Sequence, residues 1–207
     1  MTGLRAMKAR VGWDIVEGPS LSTRVETERL VLRPPRTADV PEMRRALRQN
    51  ATHLRPWSVA PASGEDAASL TSVSRAVLRH RREWKQGQAY VLLITPRDDE
   101  RTVIGRIAIG GVLRGAFQNG YLGYWIDADR QGRGLMTEAV RAATGFALST
   151  ASLHRVQAAV MPRNTASQRV LEKAGYRREG VAARYLCIAG TWEDHLIFAT
   201  TTEDWDR

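Results

Sequence analysis

With 207 residues, 43% of them hydrophobic and 26% charged, the chain is long enough to bury one core, and its composition excludes a disordered or collagenous protein. It has no run of about 18 apolar residues to cross a membrane and no apolar signal-peptide centre in residues 1–21, and its single cysteine, Cys187, excludes an internal disulfide. The net charge of +9 permits a role beside nucleic acid without requiring direct binding to it, because the basic residues are almost all arginine and the densest cluster, Arg79, Arg81 and Arg82, reads as a solvated helix face. His53, His80, His154 and His195 show no metal-ligand spacing, so the expectation is a cytoplasmic protein with no metal.

Residues 1–24 lack periodicity and are broken at Gly18, Pro19 and Ser20. They read as an extension, either disordered or adding an edge strand through Trp13 and Ile15. The domain proper, residues 25–207, opens with an alternating strand at 28–33, stopped by Pro34 and Pro35. Asp39 and Glu42 have capping-box spacing with Pro41 in the first turn, and Met43, Ala46 and Leu47 predict the buried face of the helix that follows. Leu54, Arg55, Pro56 and Trp57 fall in a loop, where Trp57 is either a core plug or a binding group. Ser63 and Asp66 mark the start of a second helix with Leu70, Val73, Val77 and Trp84 on one face, ended by Gly87. Strands at 90–94 and 102–112 make a hairpin around a turn at residues 96–99.

The most informative stretch follows. The strand-type run Tyr121, Leu122, Gly123, Tyr124, Trp125 and Ile126 gives way to a polar turn holding Gly132 and Gly134, and a helix opens directly on that turn. Leu135, Ala139, Ala142 and Phe146 recur at helical spacing and mark its buried face. A glycine turn feeding a helix presents unpaired backbone N–H groups and the positive end of the dipole, a site for phosphate, to which Arg130 and Arg133 add charge. A tight connection without a ligand has the same spacing. The dinucleotide fingerprint needs a third glycine where Thr137 stands, and the P-loop needs a Gly-Lys-Ser/Thr ending that is absent. Beyond the helix, residues 154–160 predict a strand. Asn164 caps a short helix with Val170, Leu171 and Ala174 inward, Gly175 ends it, and 176–188 with 193–200 form a last hairpin turning at Ala189 and Gly190. The fold class is therefore α+β, with a mixed, largely antiparallel sheet of about seven strands.

The run Gln131, Gly132, Arg133, Gly134, Leu135, Met136 resembles the pyrophosphate-binding signature of the GNAT acetyltransferases. Its continuation through Thr137, Glu138 and Ala139, with Met136 where a small residue is usual, resembles the RimJ/RimL branch, the ribosomal-protein N-terminal acetyltransferases. The segments 164–176, 185–195 and 201–205 extend the likeness to roughly residues 25–207 and favour RimJ over RimL. The resemblance implies acetyl-CoA as cosubstrate, a sheet splayed at its central strand, and a backbone N–H near Ile126 facing the thioester. It implies coenzyme contacts from Trp125, Ile126, Gln131, Gly132, Arg133, Gly134, Leu135, Met136, Thr137, Asn164 and Ser167, with Ser167 as the catalytic proton donor to the thiolate. Two departures stand out. Leu171 occupies the place of a tyrosine acid found in many members, and Leu186 that of a RimL-type glutamate base. Asp127, Glu138 and Glu179 remain candidate acids or bases. Trp57, Tyr185 and Trp192, with His195, are acceptor-side candidates equally consistent with core. The expected acceptor is a protein N-terminus, that of a ribosomal protein, with the enzyme a monomer or homodimer. A small-molecule amine acetyltransferase and a non-catalytic acyl-CoA-binding module are the alternatives.

Overall fold

The computed structural model describes residues 19–59 and 66–205. Trp13, Ile15 and Ser63 lie outside them. The eight strands are β1 (Val25–Glu26), β2 (Leu30–Arg33), β3 (Tyr90–Pro96), β4 (Gly105–Leu113), β5 (Asn119–Ile126), β6 (Arg155–Val160), β7 (Arg177–Ile188) and β8 (Thr191–Thr201). The helices are α1 (Val40–Gln49), α2 (Ala51–Leu54), α3 (Leu70–Lys85), α4 (Leu135–Gly145), α5 (Thr165–Lys173) and α6 (Thr202–Trp205). One sheet holds the strands in the order β1-β2-β3-β4-β5-β6-β8-β7, antiparallel except for β5 against β6. The extra strand over the expected seven is the two-residue β1. Among the described residues no helix is long and apolar enough to cross a membrane.

Strand periodicity sorts the side chains onto two faces. Ile107, Ile109, Leu122 and Ile126 pack with α4 and α5 in the main core, where Trp84, Tyr90 and Phe146 interlock with ring centroids 5.2–5.6 Å apart. Leu93 and Trp125 face the other way, against Val40, Met43 and Ala46 of α1 and Val73 and Val77 of α3. The sheet is split at its centre: β5 and β6 pair only from Asn119 with Arg155 to Leu122 with Ala158, although each strand runs further.

Several local expectations are corrected. Asp39 does not cap α1. Its carboxylate accepts Arg33 Nη1 at 2.7 Å, Arg33 Nη2 at 2.8 Å and the Arg36 amide at 2.6 Å, while Glu42 accepts the Val103 amide at 3.1 Å. A buried arginine outcompetes the helix end for the acid, as a charge-assisted bidentate pair should. Helix α3 begins after Ser69, whose hydroxyl accepts from the Ser72 amide, and Leu70 is 56% exposed rather than on the buried face. Leu54 to Trp57 form helical turns, not a loop. The Pro19 carbonyl accepts from the Trp84 indole, so the chain is tied to the domain from that residue.

Candidate active site

The turn between β5 and α4 is built as an anion cradle. Gly132 and Gly134 have φ of +72° and +75°, where L side chains are strained, and nothing lies within 4 Å of a Cβ built at Gly132. Gly134 is the N-terminal boundary of α4 and has no side chain with which to cap it. Among the described residues no hydrogen bond takes up the amides of residues 132–137, so these N–H groups and the helix dipole converge on open space. That donor set fits a diphosphate.

The turn is braced from outside the predicted site. Glu138 accepts the Thr27 hydroxyl at 2.6 Å, the Arg29 amide at 2.9 Å and Arg29 Nε at 2.7 Å. Arg29 Nη1 in turn donates to the Arg133 carbonyl at 3.0 Å. These bonds outweigh the cost of burying the carboxylate and hold Glu138 below the usual glutamate range, which removes it as a free base. Glu179 is similarly held down by Arg155 and Arg177. Asp127 differs, because burial pushes its carboxyl up. It accepts Asn50 Nδ2 at 2.5 Å, and Asn50 Oδ1 takes the Ala128 amide at 2.9 Å, which ties the end of α1 to the start of the turn.

The split in the sheet continues the cradle. Asp127 N–H donates to the Ile104 carbonyl beyond β4. Amide direction alternates along a strand, so the preceding Ile126 N–H points into the gap that β6 has left. One cavity of about 540 Å3 joins gap and turn. It is lined by Trp125, Ile126, Gln131, Gly132, Gly134, Leu135, Met136, Thr137, Asn164 and Ser167, and at its far end by Trp57. Arg133 does not line it and contributes its carbonyl to the brace. Tyr185 and Trp192 lie away from it on the β7–β8 hairpin, Tyr185 edge-on to the buried His195 and Trp192 62% exposed. Leu171 is fully buried in the core.

Asn164 Oδ1 accepts the Ser167 amide at 3.1 Å and fixes the first turn of α5. Ser167 Oγ lies 2.8 Å from Tyr124 Oη, a contact missed in the sequence although Tyr124 stands two residues before Ile126 and so on the same strand face. Burial raises the Tyr124 pKa and keeps the phenol protonated. His53 Nε2, 2.7 Å from Gln131 Nε2, and Arg29 had no signal in the chain at all.

A model of the GNAT acetyltransferase domain matches residues 29–177. The ribosomal protein uS5-alanine N-acetyltransferase of Escherichia coli is 36% identical over 183 residues, 88% of this chain and 92% of that one. Mycobacterium smegmatis RimJ, solved with CoA-disulfide, is 34% identical with a TM-score of 0.79, covering 86% of this chain and 84% of that one. The ribosomal-protein-S5-alanine acetyltransferase of Vibrio fischeri has a TM-score of 0.81 at 29% identity, covering 89% and 99%. With a glycine turn of unpartnered amides opening on a split sheet, and matched over most of its length, the chain belongs to the GNAT acetyltransferase family.

Proposed function

We propose that the protein acetylates the N-terminal α-amine of a protein, in the cytoplasm, and that its acceptor is a ribosomal protein. The observation that carries the reading is the cavity of about 540 Å3 that joins the unpartnered amides of residues 132–137 to the split, Trp57 and Ser167. The E. coli and V. fischeri relatives, named for acting on an alanine of a ribosomal protein, support the acceptor. When bound, acetyl-CoA supplies the acetyl group as an activated thioester.

The chain's residues divide the remaining work. The turn amides hold the diphosphate, and Gln131, set by His53, borders it. The Ile126 N–H polarises the carbonyl that enters the gap. An α-amine has an ordinary pKa of about 8, so a usable fraction is unprotonated at neutral pH and water suffices to take its proton. Nitrogen forms the new bond to carbon, the carbon–sulfur bond breaks, Ser167 Oγ supplies a proton to the thiolate, and the water that took the amine's proton returns one to the serine. Where Tyr124 donates to Ser167 Oγ, the serine's own proton is left free to point into the cavity.

Incubation with acetyl-CoA and matched peptides tests this. A peptide with a free small N-terminal residue is expected to be acetylated, and its N-blocked twin is not. Gly134→Trp, which fills the phosphate approach, is expected to abolish turnover. Equal modification of the blocked peptide, or a kinetic preference for small amines, would overturn the acceptor.

A further inference from the structure

Two arginines on the sheet come with acids. Arg33 is held by Asp39, and Arg155 by Glu179 at 2.5 Å. Arg106 on β4, half-buried, has an enclosed Nε with no partner, as do Arg33 and Arg44, and among the described residues no carboxylate bonds Arg106. The charge acting on it is that of Arg79, of like sign, on α3. The buried His80 of α3, also under the field of Arg106 and Arg79, has an unpartnered Nδ1. A partly enclosed cation without a counter-charge is a group that an incoming acid can complete.

Its position suggests what completes it. Arg106 is the register partner of Trp125, so the two side chains share the α1–α3 face of the sheet, and Trp125 lines the cavity at the split. The next pairs along that face are Ala108 with Gly123 and Gly110 with the exposed Tyr121. At Gly110 and Gly123 a Cβ would meet nothing within 4 Å. The sheet face is thus open at Gly123, two residues along β5 from Trp125, which itself lines the cavity and stands opposite Arg106.

We infer that Arg106 is a specificity residue that pairs with an acidic side chain close to the acceptor's N-terminus. This rests on the N-terminal acetyltransferase reading. Strands lie about 4.8 Å apart and a chain advances about 3.3 Å per residue, so an amine at Ile126 places roughly the second to fourth acceptor residues within reach of the guanidinium.

The test uses the full chain and peptide pairs differing only in Glu or Gln at the second, third or fourth position. The wild-type enzyme is expected to favour one Glu peptide by at least about tenfold in kcat/KM, chiefly through KM, the scale of a charge-assisted hydrogen bond. Arg106→Gln should erase that advantage with coenzyme affinity unchanged by calorimetry, and Arg106→Lys should retain part of it. Equal turnover of every Glu and Gln pair by the wild-type enzyme would overturn the inference, and that comparison decides even if a variant fails to fold. So would competitive inhibition by an RNA oligonucleotide that depends on Arg106, which would assign the cation to phosphate. Acetylation of no peptide at all would instead overturn the function on which the inference rests, and the inference with it.

Discussion

Ser167 and Tyr124 show how much one residue's meaning depends on its neighbour. Alone, a serine in the first turn of α5 is a helix-start residue; 2.8 Å from a half-buried phenol and on the wall of the cavity, it has the setting that the proposed proton donor needs. Ser167→Ala and Tyr124→Phe are each expected to lower kcat by roughly one to two orders of magnitude, within the range of general acid catalysis, with coenzyme affinity nearly unchanged. Steady-state kinetics with calorimetry checks this, and unchanged kcat in Ser167→Ala would mean that water alone protonates the thiolate. The serine was singled out by the family resemblance of segment 164–176, since on its own it reads as a first-turn residue. Tyr124 was not singled out, because on a strand of aromatic residues nothing separates a core ring from a working one. Arg29 could not be found, since it reaches Glu138 across more than a hundred residues of chain.

At the scale of elements, apolar periodicity located most helices and strands, and glycines located the turns that needed positive φ. One error fell where two partners competed for one polar group. Asp39 has cap spacing, but Arg33 takes it. Glu138 illustrates the same competition in the site, where the start of α4 is fastened to the β1–β2 connection by one carboxylate. Its pKa is lowered in the fold, so its contribution is present above the ordinary value of about 4.5 and is lost as pH falls through the lower folded value. Asp127 has the opposite sign. Burial raises its pKa, so protonation on acidification relieves a cost. Glu138→Gln is expected to cost about 1–2 kcal/mol at neutral pH. Denaturant titrations at about pH 6 and about pH 3 should then show a smaller acid loss in the variant than in the wild type. Parallel losses would show that the brace is not linked to this carboxyl.

For the whole molecule, the sequence carried the class of sheet but not its arrangement. Patterns of period two mark strands without saying which neighbours pair, and the parting of β5 from β6 is a property of the pairing alone. The family resemblance supplied the splay that periodicity could not. Net charge was also a poor guide at this scale. Arg29, Arg33, Arg45, Arg155 and Arg163 are committed to internal acids. The central claim is that the amides of residues 132–137 hold the coenzyme diphosphate and direct its arm into the split beside Ser167. A crystal structure with CoA tests it most directly. The diphosphate is predicted to lie on those amides with the thiol emerging between Ile126 and Ser167, and a diphosphate seated anywhere else would contradict the account.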